Sequence, residues 1–363
     1  MKLTTLNRLM QPMEESKLIV QRSIGESTGG RKPVRYDVNS KYFYFLGVDL
    51  SRTYTQLVLS NLKMDILFQY KFEMNESLTP EKTITKIRDI FNTAIIELGI
   101  SKEAVLGAGV GTVGPLDRDK GQILNPSFFN SAGWSNVSIC EMLKAQLELP
   151  VFLDNGANTA VLSEFLFGDG KKFKNIAYIN CGIGIRTGAI SSETIVRTMH
   201  DAEDAFGHMI IDIDGEPCYC GNYGCIECYS SIHAITRNFI SALKRGKMTA
   251  VNKSINEISY IDILSAAENN DELAREIVTD AAITFGAGLM NYINLLNPGM
   301  VILSGPIISN SNLFYDISTE RASRALKTQK VIFIKGGHFG ESAIALGAAA
   351  LVVEKFLNSR IAI

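Results

Sequence analysis

Two stretches of the same plan, YFYFLGVDLSRTYTQLVLS (residues 42–60) and NIAYINCGIGIRTGAIS (residues 175–191), decide the fold class. Each reads as an apolar strand, a short turn and a second strand, with β-branched and aromatic residues where a pleated surface favours them. Outward from the first, DILFQYKFEM supplies a third strand, TPEKTITKIRDIFNTAIIELGI a helix and VLGAGVGTV a buried strand. Outward from the second, the periodic helix ELAREIVTDAAITFGAGLMNYINLLN leads into the strand MVILSG. Recurrence of hairpin, helix and buried strand implies a duplicated α/β architecture of two lobes with a cleft between them, each opening with a turn that could face a phosphate. The expected lobes are residues 41–160, joined by a C-terminal helix at 348–363, and residues 161–347.

Composition narrows the class. The 363 residues are 46% apolar and 20% charged, enough to bury a substantial core in two or more domains of a soluble protein. A formal net charge of −2 argues against a whole-chain polyanion binder, so any basic surface is local. No apolar run approaches the roughly 18 residues a membrane helix needs. The opening MKLTTLNRLMQPMEESKLIV lacks the continuous apolar segment of a signal peptide, and a cytoplasmic location is expected.

Residues 1–40 form a distinct module, with seven basic residues (Lys2, Arg8, Lys17, Arg22, Arg31, Lys32 and Arg35) against four acidic. A helical pattern runs through Leu6, Leu9, Met10 and Met13, with Pro12 expected to kink or shorten it. Two strand-like runs then flank the Gly-rich basic tip of QRSIGESTGGRKPVRYDVN, giving helix, strand, wing and strand.

The most specific chemical signal is FGHMIIDIDGEPCYCGNYGCIE (residues 206–227). His208, Cys218, Cys220 and Cys225 offer one imidazole nitrogen and three thiolates, a set suited to a closed, structural tetrahedral zinc, with Gly221 and Gly224 letting the chain turn tightly around it. Free buried thiols beside a satisfied core histidine are the blander alternative, which the density of ligands disfavours.

At these residues the chain resembles the ROK family, which contains bacterial sugar-responsive repressors and sugar kinases. The resemblance rests on GTVGPLD (111–117), NSAGW (130–134), DNGANTAVLSE (154–164), CGIGIRTG (181–188), the zinc segment, INLLNPGMVILSG (293–305) and ALGAAALV (345–352). It implies an α/β fold of two actin-like and hexokinase-like (ribonuclease H-like) lobes. Residues 2–20 are similar to the recognition helix of the winged helix-turn-helix that precedes this fold in the repressor branch, and GESTGGRKPVRYDVN to its wing. By that likeness Thr4, Thr5, Asn7 and Arg8 face the DNA major groove, and Arg31 and Lys32 reach phosphates or the minor groove. The chain begins at that helix, without the two that should support it, which predicts weak and strongly salt-dependent DNA binding by this segment alone.

The resemblance also shows what has changed. In the family's kinases the asparagine of the DNGAN turn is followed by an aspartate, the general base that deprotonates the sugar hydroxyl; here Asn155 is kept and Gly156 stands at the aspartate position. Asp154, two residues back along a strand, is expected on the same face but roughly 6 to 7 Å away. At the nucleotide site Asp49, Thr53, Gly182, Gly184 and Gly305 remain, while Ser51 and Arg52 replace glycines, Arg186 and Thr187 replace small residues, and Ser304 and Pro306 replace a glycine-rich adenosine contact. Sugar contacts carry over to Asn130, Asn155, His208 and Glu227, between the lobes, but an expected glutamate is Ala205. The expectation is a catalytically silent, sugar-responsive repressor, homodimeric and bound to operator DNA. The alternative is an ATP-dependent sugar kinase of the glucokinase type.

Overall fold

A computed structural model describes residues 3–24, 34–126, 129–197, 205–324 and 330–361. The chain divides into two compact units, Met1–Gly156 with Ala345–Ile363, and Ala157–Ile344.

Each unit is built on one five-stranded sheet, and the two sheets share one strand order. Across the first lie Ile66–Glu73, Tyr54–Asn61, Tyr44–Leu50, Val105–Thr112 and Val151–Asn155. Across the second lie Thr194–Ile195, Ile185–Ser191, Ile176–Cys181, Met300–Ser304 and Ile332–Lys335. In both, the first three strands pair antiparallel and the last two add in parallel. Short turns suffice for the hairpins, whereas the parallel additions need crossovers. The helix Pro80–Glu97 supplies the first of these in one unit; Ile232–Lys244, Tyr260–Glu268 and Glu272–Leu296 lie in the corresponding crossover of the other.

Strands covered on both faces read as continuous apolar runs. Phe45 to Leu50 are buried throughout, and around Leu46, Val48, Leu57, Phe91, Val110 and Leu143 the first unit forms its core. The second unit packs Ile179, Phe239, Phe285, Leu289 and Phe314. Each such Leu, Ile or Phe contributes about 1.5–3 kcal/mol by leaving water.

The segment ALGAAALV lies in a helix, Ala343–Ile361, that begins ahead of the expected residue 348. Its small residues meet two sheet glycines of the first unit. A Cβ at Gly109 would lie 1.8 Å from the Ala348 carbonyl oxygen, and one at Gly47 1.9 Å from that of Ala345. Helix backbone and sheet backbone are closer there than any side chain permits.

The N-terminal segment lies within the first unit. Its helix, Leu3–Glu15, continues past Pro12, where the sequence predicts a kink or a stop. The proline sits near the helix end, so few later bonds depend on it, and its own carbonyl accepts from the Ser16 amide at 3.0 Å. Ile19–Ile24 and Val34–Val38 pair antiparallel. Asp37 binds both Arg22 at 2.8 Å and Lys63 of the sheet hairpin at 2.7 Å, and the Lys17 ammonium stands 4.4 Å from the Tyr42 ring centre.

Candidate functional site

The segment from His208 to Cys225 folds back on itself because both of its ends are held. Phe206, 1% exposed, packs edge-on against Phe285 and Tyr292, with ring centres 5.5 and 5.3 Å away. Bridges between Ile210 and Cys225 and between Pro217 and Tyr223 bring the two arms side by side. Gly224 makes the return possible: its φ is +67°, and a Cβ would fall 1.6 Å from the Asp212 carbonyl oxygen.

This folding gathers the four expected ligands. The donor atoms of His208, Cys218, Cys220 and Cys225 all lie within 4.8 Å of one another. The Cys220 and Cys225 sulfurs are 3.7 Å apart, and Cys218 Sγ is 3.5 Å from His208 Nδ1. A tetrahedral zinc with bonds of about 2.3 Å to sulfur and about 2.0 Å to nitrogen separates its ligand atoms by about 3.5 to 3.8 Å, so the donor set fits that ion in chemistry and spacing. The Tyr219 hydroxyl lies 3.2 Å from His208 Nε2. A metal held on Nδ1 would leave Nε2 to carry the proton and donate to Tyr219, fixing ring and tautomer.

Glu227 follows directly. Its amide donates to the Gly207 carbonyl at 2.9 Å, placing it beside the metal segment. It is 6% exposed, and its Oε2 accepts from the Ile185 amide at 2.7 Å. A Cβ at Gly184 would lie 2.9 Å from that oxygen and 3.2 Å from Arg186 Nη1, so a carboxylate and a guanidinium flank the turn through Gly182 and Gly184. Thr187 hydrogen-bonds Tyr292, whose burial pushes its phenol up to about 12. Gly305, φ +96°, precedes the short helix Pro306–Asn310. Ala205 is exposed.

In the first unit, Asp49 is 2% exposed on a strand at the centre of the sheet and accepts the Tyr54 hydroxyl at 2.9 Å. Lys71 stands 4.3 Å from the Tyr54 ring centre. Burial pushes the Asp49 carboxyl up to about 7, against the hydrogen bond from Tyr54 and the Lys71 charge. Arg52 in the turn is buried and Thr53 exposed. The strand Val151–Asn155 runs straight into the helix Gly156–Leu166. Gly156 is therefore helical, and the two-residue strand period that set Asp154 on its face ends at Asn155. Asp154, 2% exposed, accepts from the Asn155 amide at 2.8 Å and faces Arg118 Nη1 at 3.6 Å.

Of the sugar contacts, Asn155 is buried and Asn130 exposed in the first unit, while His208 and Glu227 belong to the second. Thr5, Asn7 and Arg8 are exposed on the N-terminal helix, and Thr4 lies on the same helix. Arg31 and Lys32 fall outside the described residues. The partners Tyr219, Tyr54 and Arg118 escape motif reading. Tyr219 alone carried a local signal, since it lies between two ligand cysteines. Among the described residues, no helix is long and apolar enough to cross a membrane.

Against known proteins, the ROK family model matches residues 45–355. The chain is 26% identical over 362 residues to the xylose repressor of Caldicellulosiruptor bescii, covering 98% of this chain and 89% of that protein. It is also 26% identical to the glucokinase of Halalkalibacterium halodurans, over 268 residues, 73% of this chain and 80% of that enzyme. The crystal structure of a ROK family transcriptional regulator, a homologue of the Escherichia coli MLC protein, superposes with a TM-score of 0.79 at 23% identity, covering 96% of this chain and 88% of its own.

Proposed function

We propose that this chain, which belongs to the ROK family, is a sugar-responsive transcriptional repressor whose kinase-like body binds a carbohydrate without phosphorylating it. Coverage carries the reading. The likeness to a xylose repressor spans 362 residues, including residues ahead of the family region that starts at 45, whereas the glucokinase likeness spans 268. The helix Leu3–Glu15 and its strand pair lie in that leading segment, the place of a DNA-contacting module. In this reading Thr4, Thr5, Asn7, Arg8, Arg31 and Lys32 meet operator DNA, with two copies of the chain presenting paired modules.

Loss of catalysis follows from Gly156, which has no group to take a proton. The Glu227 carboxylate, fixed by the Ile185 amide, is a preorganised acceptor for a sugar hydroxyl, and Asn155 and Asn130 add amide contacts. A sugar contact by His208 has to displace Tyr219 from Nε2. Zinc on His208, Cys218, Cys220 and Cys225 is structural: four protein ligands leave no open position, and the ion holds the segment that sets Glu227 in place.

Calorimetry against a carbohydrate panel, run beside gel shifts with upstream DNA and an ATP turnover assay, tests the reading. The expected result is saturable heat with one sugar class, a change in DNA binding on its addition, and no sugar phosphate. Sugar phosphorylation by the unmodified chain well above background overturns it.

A further inference from the structure

A sixth cysteine stands against the metal cluster without belonging to it. Cys228 Sγ points at the Pro217 carbonyl oxygen, 3.7 Å away, which places it beside Cys218, the residue that follows Pro217. It lies outside the four residues whose donor atoms converge. The one-turn helix Glu227–Ser230 presents it, with the Cys228 amide bonded to the Cys225 carbonyl at 3.0 Å and its own carbonyl held by Arg237 at 2.9 Å. Cys218 is buried, but Cys228 is half-buried and Cys220 exposed, so a small oxidant meets the cluster at its edge.

We propose that Cys228 is a resolving thiol for Cys218, and that a peroxide converts the metal-holding loop into a metal-free loop closed by a Cys218–Cys228 disulfide. The proposal rests on the metal reading above. The Cys218 thiolate attacks the peroxide O–O bond and becomes a sulfenic acid as hydroxide leaves. The Cys228 sulfur then attacks the Cys218 sulfur; the S–S bond forms, the S–O bond breaks, and the departing hydroxide takes the Cys228 proton as water. Two electrons pass from the thiol pair to the peroxide. Oxidation would remove the Cys218 thiolate from the donor set and leave His208, Cys220 and Cys225 to hold a metal, too few for a closed tetrahedral site. A thiol reductant with added zinc reverses the change.

The sequence makes the product readable. Cleavage after glutamates, which spares the Glu216–Pro217 bond, separates residues 204–227, which hold Cys218, Cys220 and Cys225, from residues 228–257, which hold Cys228. Metal content is measured first on purified protein, then hydrogen peroxide is added while metal release is followed with a chromogenic chelator and the digest is analysed by mass spectrometry. The expected result is release of about one equivalent together with linked peptides 204–227 and 228–257, fragmenting to a Cys218–Cys228 bond. Cys228→Ser should abolish the linked pair and make metal loss irreversible by reductant, because Cys218 then proceeds to the sulfinic acid. Full alkylation of Cys228 after oxidation, or reversible release from Cys228→Ser equal to that of the parent, overturns the proposal. A purified chain without metal that still forms the linked pair overturns the zinc reading and leaves the thiol pairing standing.

Discussion

Arg118 holds Asp154: its Nη1 lies 3.6 Å from a carboxylate that is 2% exposed and already accepts the Asn155 amide. The acid nearest in sequence to Gly156 is therefore spent on structure, and the helix that starts at Gly156 turns position 156 away from any strand relation to it. Gly156→Asp should yield at most traces of ATP-dependent hexose phosphorylation, since restoring a general base recovers about 10²- to 10⁴-fold of a rate that also requires intact phosphate contacts. A coupled ADP assay reads this; turnover of ordinary kinase magnitude in the variant would show that only the base had been lost.

Under the proposed zinc reading, removing one thiol from the cluster should release the ion. Cys220→Ser is expected to purify with less than half an equivalent of zinc and to lose about 3 kcal/mol or more of stability, because binding of the metal is part of folding this loop. Elemental analysis beside thermal melts checks both. Tyr219→Phe, which frees Nε2 of His208 but keeps the ligands, should weaken zinc affinity by about 10- to 100-fold without releasing it outright.

Asp49 sets a pH dependence of known sign. Its carboxyl is raised from 3.8 to about 7 in the folded chain, so between those values the folded state binds more protons than the unfolded. The stabilising contribution is fully present below pH 3.8 and is lost as pH rises through about 7, amounting to roughly 4 kcal/mol at most. Asp49→Asn should remove that slope and melt higher than the parent near neutral pH. Parallel melting curves for the two proteins from pH 4.5 to 8 would rule it out.

Both sheets and the gathering of His208, Cys218, Cys220 and Cys225 are legible in the sequence, and for a common reason: each is written locally. Period-two runs such as YTQLVLSNL mark strands, and three cysteines in eight residues mark a loop that closes on itself. Relations between distant segments are not. Arg118 reaches Asp154 and Lys63 reaches Asp37 through pairing that no window of the chain contains. The junction at Gly156 is not legible either, because strand and helix meet at Asn155 with no intervening turn, whereas the polar run DNGAN suggests one.

Arg8, exposed on the N-terminal helix, tests the DNA reading. Arg8→Ala should weaken binding to upstream DNA and leave sugar binding unchanged, whereas loss of a phosphate contact alone would lower affinity equally for all sequences. Fluorescence anisotropy at two salt concentrations distinguishes these. Indifference of both specific and random DNA to the substitution would remove the helix from the interface.

Gly109→Ala should cost about 3 kcal/mol, since its methyl group must displace the Ala348 carbonyl of a packed helix. Chemical denaturation gives the value, and a change below about 0.5 kcal/mol would mean that the helix shifts freely.

That same helix imposes an order on synthesis. The second unit, Ala157–Ile344, is continuous in sequence and is complete before its neighbour. The sheet carrying Gly47 and Gly109 is translated first, yet the backbone that covers this face begins only at Ala345, long after the strand of Gly109, so the face stays bare until that helix emerges. An early stop codon ahead of Ala345 would therefore spare His208, Cys218, Cys220, Cys225 and Glu227 yet leave the Gly47 and Gly109 face of the first unit uncovered.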